Sequence, residues 1–148
     1  MGRSTEKNNE SVKERKKIKK VKGKHYKLYR GDCFDALAKL KDESVDLVLC
    51  DPPYGTTACK WDSVLPFDKM WSELNRVCKP KSAIVLFGSE PFSSALRMSN
   101  IKNYKYDWIW NKKFSGIFVH ASKAPLKNHE NVTVFARECS HSTSAVYY

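Results

Sequence analysis

The chain has 148 residues, 41% of them hydrophobic, and a formal net charge of +11, which is enough for one domain with a real core and too little for two. No apolar run approaches membrane-spanning length and the N-terminus lacks the apolar core of a secretory signal, so a soluble, cytoplasmic protein is expected. The five cysteines, Cys33, Cys50, Cys59, Cys78 and Cys139, show neither CxxC nor His-Cys spacing, which points to a reducing compartment, ordinary packing and no metal site.

The charge is concentrated at the start: residues 1–27 hold eleven Lys or Arg against three Glu. Residues 1–25 read as a basic tail, disordered or transiently helical, with too few apolar side chains to offset chain entropy. Such an arm can contact phosphates without reading sequence; a solubility tail is the plain alternative. Structure proper is expected from Tyr26 to Arg137, with a polar tail over residues 138–148.

Tyr26 to Tyr29 reads as a short strand, Arg30-Gly31-Asp32 as a turn, and Cys33 to Leu40 as a helix with Phe34, Leu37 and Leu40 at helical spacing. Val45 to Cys50 is an apolar run interrupted only by Asp46, the pattern of a fully buried parallel strand. Strand, helix and strand at this length make a parallel crossover unit. Gly55 to Asp62 is small and polar and suits a flap. Phe67 to Val77 is a helix with Met70, Trp71, Leu74 and Val77 on one face, broken by Cys78-Lys79-Pro80-Lys81.

Ala83 to Phe87 is the next buried strand, and small Gly88 and Ser89 at its mouth would let a ligand approach the backbone. Pro91 opens a helix through Met98. Lys105 to Trp110 alternates as a strand, followed by a basic loop in which Lys112 and Lys113 suit phosphate and Phe114 suits a base, or which is simply a solvated hairpin. Asn131 to Arg137 is the last strand.

The chemistry centres on Asp51-Pro52-Pro53-Tyr54-Gly55. An acidic residue stands where a strand ends, the place where open α/β sheets bind ligands. Two prolines remove two backbone donors and leave their neighbours' carbonyls free to face a ligand. Tyr54 adds an aromatic face beside the carboxylate, a setting for a flat, amino-bearing ring such as a nucleobase. Asp-Pro-Pro is also an ordinary turn sequence; the strand ahead of it favours the ligand reading.

Asp51 to Gly55 resembles the catalytic motif of the methyltransferases that modify exocyclic amines of DNA bases. The flanking segments VDLVLCDPPYGTTACKWDSVLPFDKMW and AIVLFGSEPFSSAL resemble phage and bacterial adenine-N6 methyltransferases, and the likeness runs from about Tyr26 to Arg137. Lys127, His129 and Glu130 match a K-x-H-E-N pattern of that family. The resemblance implies an α/β, Rossmann-like fold with a mostly parallel sheet, S-adenosylmethionine as cofactor and DNA as partner. It also implies that the Asp51 carboxylate and the Pro52 carbonyl accept from the two amine hydrogens while Tyr54 stacks on a flipped base. Asp32, Asp51, Gly88 and Ser89 fall to the cofactor side, and Lys112, Lys113, Phe114, Lys127 and His129 to the DNA side.

The sequence departs from the family at one place. Its members carry a Gly-rich cofactor loop after a strand, and no Gly-x-Gly occurs here. Members with the catalytic motif first place that loop near the C-terminus, so the chain reads as an N-terminal catalytic portion whose sheet lacks two central strands. The strand at Tyr26 to Tyr29 should then lack its neighbours, an open sheet edge is expected, and a second polypeptide or a homodimer would complete the cofactor site. Three alternatives stay open: an inactive remnant that binds nucleic acid, an N4-cytosine DNA enzyme, and an N2-guanine RNA enzyme.

Overall fold

The computed structural model describes residues 18–114, 121–123 and 125–137. In chain order the elements are β1 (Lys19–Lys22), β2 (Lys27–Arg30), α1 (Cys33–Leu37), β3 (Val45–Cys50), α2 (Phe67–Val77), β4 (Cys78–Gly88), α3 (Phe92–Ser99), β5 (Tyr104–Asn111) and β6 (His129–Ala136). Four strands form one sheet in the order β3-β4-β6-β5, and β1 and β2 form a separate antiparallel ribbon. The expected sites and elements in residues 1–17 and 138–148 lie outside the described residues.

The α/β class holds. β3 pairs parallel with β4, and β6 lies antiparallel to both β4 and β5. β3, β4 and β5 therefore point one way, with β6 inserted in reverse. The expected mostly parallel sheet is right for strand direction and wrong for pairing, because the reversed strand contributes two of the three ladders.

α2 forms where its stripe dictates: Met70, Trp71, Leu74 and Val77 are all buried. It ends as Cys78 turns extended ahead of Lys79 and Pro80. Arg76 fastens it to the α1 segment, donating to the carbonyls of Leu37 and Leu40 at 3.0 Å each and pairing with Asp42 at 2.6 Å and Glu73 at 2.7 Å. The alternation of β4 sends Ile84 and Leu86 to the helices and Val85 to the other face. Phe135 on β6 sits fully buried against Trp71 at 4.7 Å between ring centroids. The Trp71 indole N–H donates to Ser99 at 2.8 Å, and Arg97 joins α3 to β5 through Asp107 at 2.8 Å.

Three expectations are corrected. β3 is not buried: β4 is its hydrogen-bonded neighbour on one side, no described strand pairs with it on the other, and Leu47 and Leu49 are 45% and 65% exposed. Composition gave it the look of a central strand, but among the described residues no helix covers that face. Cys50, at the end of the run expected to be buried, is exposed although it faces the helix side with Val48, whereas Cys78 is buried. Lys19–Lys22, read as part of an unstructured tail, pairs with Lys27–Arg30 across a turn closed by the Gly23 N–H on the Tyr26 carbonyl at 2.9 Å. β2 accordingly stands apart from β3, and the crossover between them joins two sheets.

The bare face continues across the sheet, where Leu49, Val85, Phe87, Trp108, Trp110 and Val132 line a shallow groove of about 380 Å³. Phe135→Ala is expected to lower the unfolding free energy by about 3–5 kcal/mol. Leu49→Lys should change it by less than about 0.5 kcal/mol. Urea denaturation of the two variants checks the contrast.

Candidate active site at the C-terminal end of β3 and β4

Parallel pairing of Cys50 with Leu86 brings the ends of β3 and β4 level, so Asp51 and Ser89 leave the sheet at the same edge. β6 starts there and β5 ends there, with Asn131 opposite Gly88 and Asn111 opposite His129. All the predicted site residues except Asp32 thus belong to one end of one sheet.

Asp51, Pro52, Pro53 and Tyr54 line a cleft of about 410 Å³ together with Thr56, Thr57, Trp61 and Asp62. Asp51 is exposed and Pro52 is buried. The Tyr54 hydroxyl donates to Asp51 Oδ1 at 2.5 Å, and its ring stacks on Phe92 at 5.1 Å with a 27° tilt. Burial, then the hydrogen bond to Asp51 and its charge, push the Tyr54 phenol far above its ordinary value, so it remains a donor across the accessible pH range.

The sequence reading missed Asp62. Its Oδ1 accepts the Gly55 N–H at 2.8 Å, and its Oδ2 accepts those of Thr56 at 3.0 Å and Thr57 at 2.7 Å. Gly55 makes the turn possible, with φ at +70° and Val64 so close that an added Cβ would lie 2.9 Å from it. The expected flap is therefore a latched loop. The available signal was a Gly-Thr-Thr run whose amides need an acceptor, followed shortly by an aspartate in a segment with no other acid.

Asp32 caps α1 by accepting the Phe34 N–H at 2.8 Å and stands near Cys33 and Phe34, which line a separate apolar slot of about 370 Å³ shared with Pro52 and Leu65. Gly88 is not an opening: a Cβ there would meet Ser93 Oγ at 2.6 Å, so its smallness serves the packing of α3. Ser89 accepts from Lys127 Nζ at 2.7 Å, joining a residue expected on the DNA side to one expected on the cofactor side. Lys112 pairs with Glu130 and lies 5.5 Å from the Trp110 ring centre. Lys113 and Phe114 follow it, Phe114 being 85% exposed; Ser115 and Gly116 of that loop lie outside the described residues. His129 opens β6. Among the described residues no group of three His, Cys, Asp or Glu could hold a metal ion, and no helix is long and apolar enough to cross a membrane.

Residues 3–113 match the UPF0020 family model, described as an RMKL-like methyltransferase domain. The chain belongs to this methyltransferase-domain family. It is 32% identical over 128 residues to the type II methyltransferase M1.MboII of Moraxella bovis, covering 78% of this chain and 48% of that protein. Among solved structures it resembles the PvuII DNA methyltransferase, named as cytosine-N4-specific, with a TM-score of 0.54, 18% identity and coverage of 73% of this chain and 48% of the other. It also resembles M1.HpyAVI in complex with SAM, with a TM-score of 0.54, 17% identity and coverage of 76% and 54%. The methyltransferase chain thus spans about half the length of the relatives it matches, and shares their fold over that half.

The residues present fit a cofactor only in part. The apolar slot beside Asp32 suits a flat ring, but the whole sequence has no glycine-rich loop to approach a cofactor's backbone-held end. The latch itself can be tested by pH. Hydrogen bonds from the Thr57 hydroxyl and from the amides of Gly55, Thr57 and Thr56 lower the Asp62 carboxyl to about 2, against about 3.9 for a free aspartate. A lowered value means that the latch is intact above about pH 4 and is lost as pH falls through about 2. The amide proton shifts of Gly55, Thr56 and Thr57 should titrate together with a midpoint near that lower value in an NMR pH series, and Asp62→Asn should remove the step.

Proposed function

We propose that the chain is the catalytic portion of an S-adenosylmethionine-dependent methyltransferase acting on an exocyclic amine of a DNA base, N6 of adenine in the first place. The observation that carries this reading is the Asp51-Pro52-Pro53-Tyr54 turn at the mouth of a parallel strand pair, open to a cleft large enough for a base. An exocyclic amine is a poor nucleophile because its lone pair is delocalised into the ring. Acceptors aligned with its two hydrogens favour the more pyramidal nitrogen of the transition state. Asp51 Oδ1 is held by Tyr54, which leaves Oδ2 and the Pro52 carbonyl to receive those hydrogens. Proton loss can follow methyl transfer, so no strong general base is needed. A base in duplex DNA must leave the stack to reach the cleft, a cost of a few kcal/mol offset by stacking and enclosure.

When bound, S-adenosylmethionine supplies the electrophilic methyl group. Asp32, Ser89 and the apolar slot lined by Cys33, Phe34 and Pro52 are this chain's contribution to holding it. The glycine-rich part comes from a second polypeptide or from the remainder of a longer protein, the arrangement that coverage of half of M1.MboII supports. Lys112, Lys113, Phe114, Lys127 and His129 line the same sheet end and supply the DNA-facing side. The likeness to a cytosine-N4-specific enzyme favours N4 of cytosine as the second reading, since the same two acceptors fit either amine.

Methyl transfer to DNA by the chain with a complementary half supplied in trans tests the proposal. Asp51→Ala should reduce transfer by roughly 100- to 1,000-fold, the usual size for one aligned transition-state hydrogen bond. Oligonucleotides that lack either adenine or cytosine separate the two amines. The chain alone should show no micromolar S-adenosylmethionine binding by calorimetry. A wild type that is inactive with its complement yet binds DNA with a steep salt dependence would make the chain a binding module instead.

A further inference from the structure

The family resemblance makes Tyr54 the aromatic partner of the base, but one face of that ring is already taken by Phe92. Tyr54 lines the cleft together with a second aromatic residue, Trp61, which is 73% exposed. A tryptophan so exposed forgoes much of the free energy its burial would give. Its exposure is imposed by the loop. Asp62, the next residue, is fixed by three backbone amides on one side, and its own N–H closes a turn on the Cys59 carbonyl at 3.0 Å on the other. Lys60 and Trp61 lie within that turn, between Cys59 and Asp62, so the latch fixes the backbone from which the indole projects.

We propose that Trp61 is the second wall of the base pocket, with the target base stacked against the indole and its amino edge turned to Asp51 and Pro52. Asp62 is then a positioning residue that acts through Trp61 and does not touch the base. Phe92 backs Tyr54, so Tyr54 is the fixed wall, and Trp61, held only through its backbone, is the wall that adapts to the base. Because an indole offers the same flat face to any base, Trp61 contributes affinity for an unstacked base with little discrimination among bases; choice of amine is left to the acceptors.

The inference rests on the base-pocket reading of the cleft, and the two can fail separately. The probe is a fluorescein-labelled twelve-nucleotide strand carrying a single adenine among abasic sites, compared with a fully abasic strand, with binding to the full chain read by anisotropy at fixed salt. Wild type should bind the adenine strand more tightly. Trp61→Ala should weaken the adenine strand by about tenfold, a typical loss for one base–aromatic stack, and leave the abasic strand unchanged. Trp61→Phe should recover most of the difference, and Asp62→Asn should lose part of it with the abasic strand again unaffected. Circular dichroism confirms that each variant is folded. Equal loss on both strands, or no loss on either, would overturn the role of Trp61 while leaving the pocket in place. Failure of the wild type to distinguish the strands would overturn the pocket itself and the inference with it.

Discussion

The parallel pairing of β3 with β4 is the constraint on which the rest of the molecule depends. It sets Cys50 against Leu86, and with that register Asp51 and Ser89 leave the sheet at the same end, β4 running two residues further. A slip by one residue would turn Val48 outward and Leu47 and Leu49 inward, exchanging the packed face for the bare one. The Arg76 contacts to the Leu37 and Leu40 carbonyls, together with the Glu43 and Ser44 amides on the Arg76 and Val77 carbonyls at 2.9 Å each, fix the approach to β3 and make that slip costly. The site is thus located by packing that is remote from it.

One layer of helices covers one face of the sheet, and this asymmetry explains the unusual exposure. Met70, Trp71, Leu74, Leu96 and Phe135 form a closed core on the helix side. On the other side Val85, Val132 and Val134 are shielded by neighbours in their own sheet, while Trp108 and Trp110 stand more than half exposed. Parallel strands normally lie inside sheets covered on both faces. Among the described residues the parallel pair ends at an edge with no further strand, which is the condition for recruiting another one. The relatives, of whose length the matched region makes up about half, have further chain to supply it.

Much of this was legible in the residues. α2 follows from the spacing of its apolar side chains, α3 from the proline that opens it, and β5 and β6 from β-branched and aromatic alternation, each to within two residues. β4 instead begins at Cys78, five residues ahead of the expected Ala83, in the stretch read as a break. What the sequence could not show was context. Val45 to Cys50 has the composition of a buried strand, but burial depends on neighbours that composition does not reveal. Lys19 to Lys22 is dominated by charge and becomes a strand only because Lys27 to Arg30 lies across a tight turn. Gly88 reads as room for a ligand, yet the space belongs to Ser93. Asp62 carries no motif: its role arises when the chain closes a loop on it, a tertiary event invisible to local pattern. The turn proposed as catalytic stood out because chemistry, unlike packing, demands particular residues at particular spacings.

Bareness and incompleteness at this site have a common physical cause. Methyl transfer to a weak nucleophile gains most from alignment, and a misplacement of about 1 Å can cost on the order of 100-fold. Asp51 is held through the end of β3, a strand anchored along one side only, and through its bond to Tyr54, which Phe92 supports from α3. The acceptor side of the reaction is therefore braced from the α3 direction and unbraced from the open edge. A strand added along β3 and an element laid over Leu49 and Trp110 would supply the missing brace, and would do so next to the place where the methyl donor must be held. On the proposed function, completing the sheet and completing the site are then one event, and methyl transfer should appear with the stiffness of β3 and not by accumulation of independent contacts.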